Sequence, residues 1–107
     1  MANTYVNAKV DLTATSVTTL YTCAALTTGI VKSMLVSEDT GNADTITVTL
    51  TNAAGAVFSL FKVKTVGANT AIELLTTPLV VQTGEILKVT AATANRLHVV
   101  ASILEIT

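Results

Sequence analysis

The chain has no tryptophan, one proline, one cysteine and one histidine, and only five glycines. A lone cysteine cannot close an internal disulfide, and one cysteine with one histidine is too few ligands for a zinc site. Charge is also scarce: charged residues make up 12% of the chain and the net charge is −1, against about 25% charged residues in an ordinary soluble domain. The six cations, Lys9, Lys32, Lys62, Lys64, Lys88 and Arg96, are scattered, with no aromatic-interleaved basic stripe. That argues against nucleic acid as a partner. Long apolar runs are missing too. Lys32 and Ser33 break one greasy stretch, and His98 and Ser102 break another. Neither reaches the roughly 18–20 residues of a spanning helix, so no membrane partner is expected. The opening "MANTYVNAKVDLTAT" has no apolar core of a secretory signal, so assembly in a cytoplasm is expected.

What is present is alternation. Half of the 107 residues are hydrophobic, but aromatics are only 4%. Threonine is the commonest polar residue, at about a fifth of the chain, and Val, Leu and Ile supply most of the apolar content. These types favour a pleated, half-buried surface. In "DTITVTLTN", Ile46, Val48 and Leu50 point one way and Thr45, Thr47, Thr49 and Thr51 the other. Similar runs predict eight strands: 4–12, 17–24, 29–37, 44–51, 56–64, 70–75, 85–91 and 96–106. "EDTGNA", "NAAG", "TVGAN" and "ATAN" are the turns between them. Pro78 ends the sixth strand, since proline cannot donate to a ladder. "LVVQTGE" is an irregular link with room for a short strand of its own. The stretch 67–76 could form a helical turn, but Thr70 and the β-run after it favour a strand. Eight short strands in one small domain predict an all-β, two-sheet antiparallel sandwich, most simply an eight-stranded jelly roll, with an immunoglobulin-like sandwich as the alternative. Residues 17–107 form the sandwich, and residues 1–16 are either an N-terminal arm or its first strand. The expected core contains Ile46, Val48, Leu50, Leu87, Val89, Leu97, Val99 and Ile103.

No residue is assigned a catalytic, cofactor-binding or metal-binding role, and no cofactor is expected. His98 has no nucleophile or orienting acid at a defined spacing, and reads as a structural or interface histidine. Cys23 lies between apolar neighbours and reads as a buried small hydrophobe. "SEDTGNAD", residues 37–44, is the most acidic stretch, but it lacks the alternate acids and distal Glu of a calcium loop. It reads as a solvated hairpin loop before it reads as an ion site. Glu73 and Glu85 are not spaced as a glycosidase pair.

The last strand is apolar on both faces: Leu97, Val99, Ala101 and Ile103 on one, and His98, Val100, Ser102, Leu104 and Ile106 on the other. A strand of that kind is covered on both sides, here by another subunit or by the N-terminal segment. Tyr5, Val6, Val10, Leu12, His98, Val100 and Leu104 are therefore the expected interface residues. Surplus hydrophobicity predicts self-association, a homotrimer before a dimer.

The order "LYT", "LVS", "ITVTLTN", "GAN", "ELL", "TGEILKVTA" and "VVASILEI" spans nearly the whole chain beyond about residue 17. It resembles the small β-sandwich structural proteins of tailed-bacteriophage virions. The resemblance implies a non-enzymatic particle component in the virion, a capsid cement or decoration protein whose partner is the major capsid protein. Neck, tail or fibre positions, or a host- or carbohydrate-binding module on the particle, are its alternatives.

Overall fold

The computed structural model of the protein describes residues 2–107. All regular structure in it is strand: β1 (Asn3–Asp11), β2 (Thr18–Thr22), β3 (Thr28–Glu38), β4 (Asp44–Thr51), β5 (Val57–Val66), β6 (Ala71–Glu73), β7 (Leu79–Val81), β8 (Ile86–Ala91) and β9 (Leu97–Ile106). Two antiparallel sheets pack face to face. The first has the order β1-β9-β3-β6, with β7 also on β3; the second has the order β2-β8-β4-β5. Counted as one interrupted strand, β6 and β7 complete four positions in each sheet. The chain then crosses between sheets at every connection except the β4–β5 hairpin. That winding is the jelly roll and not the immunoglobulin arrangement.

Residues 70–75 are not the single strand the sequence suggests. Three of them form β6, and "LVV" of the supposed link forms β7. The break has a visible cause. At Lys32 the register of β3 on β9 slips, and the Glu73 carboxylate fills the local gap. It accepts hydrogen bonds from the Ser33 hydroxyl at 2.6 Å and the Met34 amide at 2.7 Å, and from the Leu75 amide at 3.1 Å. Pro78 then stands just before β7, where its missing N–H does no harm.

The core is aliphatic. Val31, Met34, Val36, Ile46, Val48, Leu87, Val89, Leu97, Val99 and Ile103 are fully buried between the sheets. Leu50 is only half-buried, because β4 ends at the rim of the sandwich. Tyr21 closes that interior at one end. Its ring, from the second sheet, lies over Gly29 of the first, and its hydroxyl donates to Glu105 Oε2 at 2.6 Å. Burial, and then the Glu105 carboxylate, push the phenol well above its ordinary value. A side chain at Gly29 would meet the Tyr21 hydroxyl at 2.9 Å, so glycine is required there by close approach.

Three expectations change. Leu12, expected at an interface, is 1% exposed and belongs to the core; its amide donates to Leu97 and its carbonyl accepts from Asn95. The N-terminal segment does not cover the outer face of β9. It lies beside β9 as β1, in unbroken register from Asn3↔Ile106 to Asp11↔His98. The 38–44 loop is not simply solvated. Glu38 is buried at its base, accepting from the amides of Thr40, Gly41 and Asn69 and from the Thr40 hydroxyl.

Candidate functional site

The two outer faces of the sandwich differ in chemistry. On the second sheet, Thr45, Thr47 and Thr49 of β4 sit opposite Lys88 and Thr90 of β8, and Ser59 and Thr65 of β5. Thr45, Thr47 and Thr49 are half-buried. One of their hydroxyls is engaged locally: Thr47 Oγ1 accepts from the Val63 amide at 3.1 Å. Val63 is a bulged residue at φ 53, where β5 slips on β4. Thr51, expected on the same wall, is instead buried, and its hydroxyl has no hydrogen-bond partner.

Exposed apolar residues occur on both sheets: on the second they sit along the edge strand β5, as Val57, Phe58 and Val63, and on the first they are spread across the outer face. The ladder aligns Tyr5, Leu104, Ile30 and Val80 in one row across four strands. A second row aligns Lys9, Val100, Leu35 and Glu73. Between them lies a polar row of Asn7, Ser102 and Ser33. Tyr5 is 73% exposed, Val80 50%, Leu35 41% and Val100 40%. In the turn leading into β3, on the side of the Tyr5 row, Leu26 is 91% exposed and held at φ 58. A bulky residue at positive φ is costly, and an exposed leucine recovers none of that cost through its own core.

Polar groups frame the far end. His98 stands between two acids, with Nε2 3.3 Å from Asp11 Oδ1 and Nδ1 3.9 Å from Asp39 Oδ2. Among the described residues, no group of three or more His, Cys, Asp or Glu could hold a metal ion. Glu38 is committed to its loop. Burial raises its carboxyl, but the Thr40 hydroxyl and the amides of Asn69, Thr40 and Gly41 outweigh this and lower it to about 2. Asp44 accepts from the Thr93 amide at 3.0 Å. Cys23 is buried, and its thiol donates to the Thr27 carbonyl.

Of the expected interface residues, Tyr5, His98, Val100 and Leu104 share this outer face. Val6 and Val10 do not: they point inward and pack half-buried at the rim of the core. Leu12 is core. Ile30, Leu35, Val80 and Leu26 belong to the face and were missed. "GIVKSML" shows alternation, but the slip at Lys32 inverts which residues face out. The phase of Leu35 therefore cannot be read from that of Ile30.

A groove of about 490 Å³ opens where β5 and the broken β6–β7 edge approach each other. Leu60, Phe61, Leu75, Pro78 and Leu79 line it, with Lys64 and Glu73 at its mouth. Glu73 is already spent on Ser33, Met34 and Leu75.

Compared with protein-family models and with curated proteins, the chain finds no match.

Proposed function

We propose that this protein is a non-enzymatic structural component of a tailed-bacteriophage virion, a cement or decoration protein that binds the major capsid protein. The observation that carries this reading is the outer face of the first sheet. Its apolar rows lie on a sandwich whose interior is already filled, so they serve no internal packing. Covering apolar surface returns about 25 cal/mol per Å², and the charges of the two rows, Lys9 and Glu73, stand at the sheet's edges, so the apolar middle of those rows is covered without desolvating an ion. Each contact is modest, but in a particle holding many copies of this chain the contacts reinforce the shell together. The residue pattern resembling phage sandwich proteins supports the same reading.

The test is reconstitution. Purified protein is added to particles that lack it, and the particles are imaged and challenged with heat. Density over the capsid lattice, together with higher heat resistance, is expected. Leu35→Asp and Val80→Asp place charge on the outer face without entering the core, and should abolish occupancy while leaving the fold intact. Full occupancy by both variants would overturn the assignment of the face. Density confined to a neck, tail or fibre would replace the cement role by an accessory one, and binding only to host polysaccharide would replace it by an attachment module.

A further inference from the structure

The edges of the two sheets are not equally protected. On the second sheet, β2 is five residues long and slips in register, and β5 carries Lys62, Lys64 and the bulged Val63. On the first sheet, β6 and β7 are three residues each. Short or bulged edges resist pairing with another chain; β1 carries one lysine, Lys9, but is neither short nor bulged. The fourth edge, β1, is nine residues long, has no slip in register and pairs with nothing on its far side among the described residues.

The direction of its free groups follows from the ladder. Leu12 N–H donates to Leu97 and Thr107 N–H donates to Ala2, so the even-numbered residues form the hydrogen-bonded pairs with β9. The odd-numbered residues, Asn3, Tyr5, Asn7, Lys9 and Asp11, therefore turn their N–H and C=O groups to the open edge. Only the Asp11 carbonyl has another partner there, the Thr13 amide.

We infer that β1 is a self-association edge. Two copies pair antiparallel through it around a twofold axis at Asn7, joining their first sheets into one continuous sheet. This register places Asn7 opposite Asn7 of the second copy, Tyr5 opposite Lys9, and Asn3 opposite Asp11. Every open residue finds a partner, and no like charges meet. It yields about eight main-chain hydrogen bonds: two per facing pair, less the two that would need the Asp11 carbonyls already bonded to Thr13. On the inner side, Val6 comes opposite Ala8 and Thr4 opposite Val10. The half-buried Val6, Ala8 and Val10 are thereby covered. On the outer side, the Val80–Ile30–Leu104–Tyr5 row of one copy continues into the Lys9–Val100–Leu35 row of the other. A twofold pair thus fits this edge, where the composition alone suggested a trimer first. The inference does not depend on the virion reading.

Sedimentation equilibrium and cysteine cross-linking test it. The full chain should sediment as a dimer. Asn7→Pro removes an N–H that β9 does not use, and proline is tolerated on that side of an edge strand. Losing two hydrogen bonds per dimer should raise the dissociation constant about thirtyfold. Tyr5→Lys sets lysines against each other twice and should also weaken the dimer. Adding Lys9→Glu to it should restore association, which a general loss of folding would not allow. The buried Cys23 leaves the surface free of thiols. Asn7→Cys should therefore form an inter-chain disulfide under mild oxidation, since facing Cα atoms in a hydrogen-bonded pair lie about 5.5 Å apart. Tyr5→Cys, four residues out of register with its own copy, should not. A monomer at high concentration would overturn the inference. So would a dimer or trimer indifferent to all the β1 substitutions, or cross-linking that favours Tyr5→Cys over Asn7→Cys.

Discussion

Gly29→Ala probes the contact that closes one end of the sandwich. The added methyl would lie 2.9 Å from the Tyr21 hydroxyl and 3.1 Å from the ring edge. Tyr21 cannot yield freely, because its hydroxyl is held by Glu105, the residue beside Gly29 in the ladder. Overpacking of this kind costs about 1–3 kcal/mol. If the ring swings away, the loss is instead a hydrogen bond to a charged acceptor, about 1.5–3 kcal/mol. Against either stands the gain from replacing glycine in a strand, about 0.5–1 kcal/mol. The net expectation is a destabilisation of about 1–2 kcal/mol. Urea unfolding reads it as a lower midpoint with unchanged slope, and thermal unfolding as a fall of several degrees, about 4–8 °C per kcal/mol for a domain near this size. Tyr21→Phe removes the nearest atom of the clash, so the double variant should lose less than the sum of the two single losses. A neutral or stabilised Gly29→Ala, or strict additivity with Tyr21→Phe, would refute the reasoning.

Two pH dependences follow from the surroundings of two carboxylates and of the Tyr21 phenol. Glu38 and Glu73 both have folded-state pKa values below the ordinary 4.5, Glu38 at about 2. Their stabilisation is present above the unfolded value and fades as pH falls from about 4.5 towards 2. Chemical denaturation across that window should show the loss, and Glu38→Gln should be less stable at neutral pH and flatter below pH 4.5. Tyr21 is shifted the other way, so its contribution holds below the unfolded value of about 10 and declines at higher pH as the unfolded phenol ionises. Unfolding followed from pH 9 to 11 should show a steeper loss for the wild type than for Tyr21→Phe.

Period-two alternation was enough to place Ile46, Val48, Leu87, Val89, Leu97, Val99 and Ile103 in the core. Their burial follows from the pleat whatever the topology. The 44–51 strand was legible to the residue, because polar turn residues bound it on both sides. Local pattern failed where a carboxylate acts at a distance. Glu38 reads as one more acid in a polar loop, yet the Asn69 amide, far along the chain, makes it a buried acceptor. Glu73 reads as an ordinary strand residue, yet it interrupts a strand by bonding to Ser33 and Met34.

The sequence by itself determined that the chain is a sandwich of short strands, because strand period, turn residues and scarce charge are properties of neighbouring positions. Tertiary structure alone decided which outer face is apolar and which edge is open. Both depend on the order in which distant strands pair. The threonine wall and the Tyr5–Val80 row have similar alternation when read along the chain. They separate only when β4 is set beside β8 and β5, and β9 beside β1 and β3. Leu12 shows the same dependence. It looks like one apolar point in a weak N-terminal pattern, and it becomes core because β1 delivers it against Leu97 at the end of the ladder.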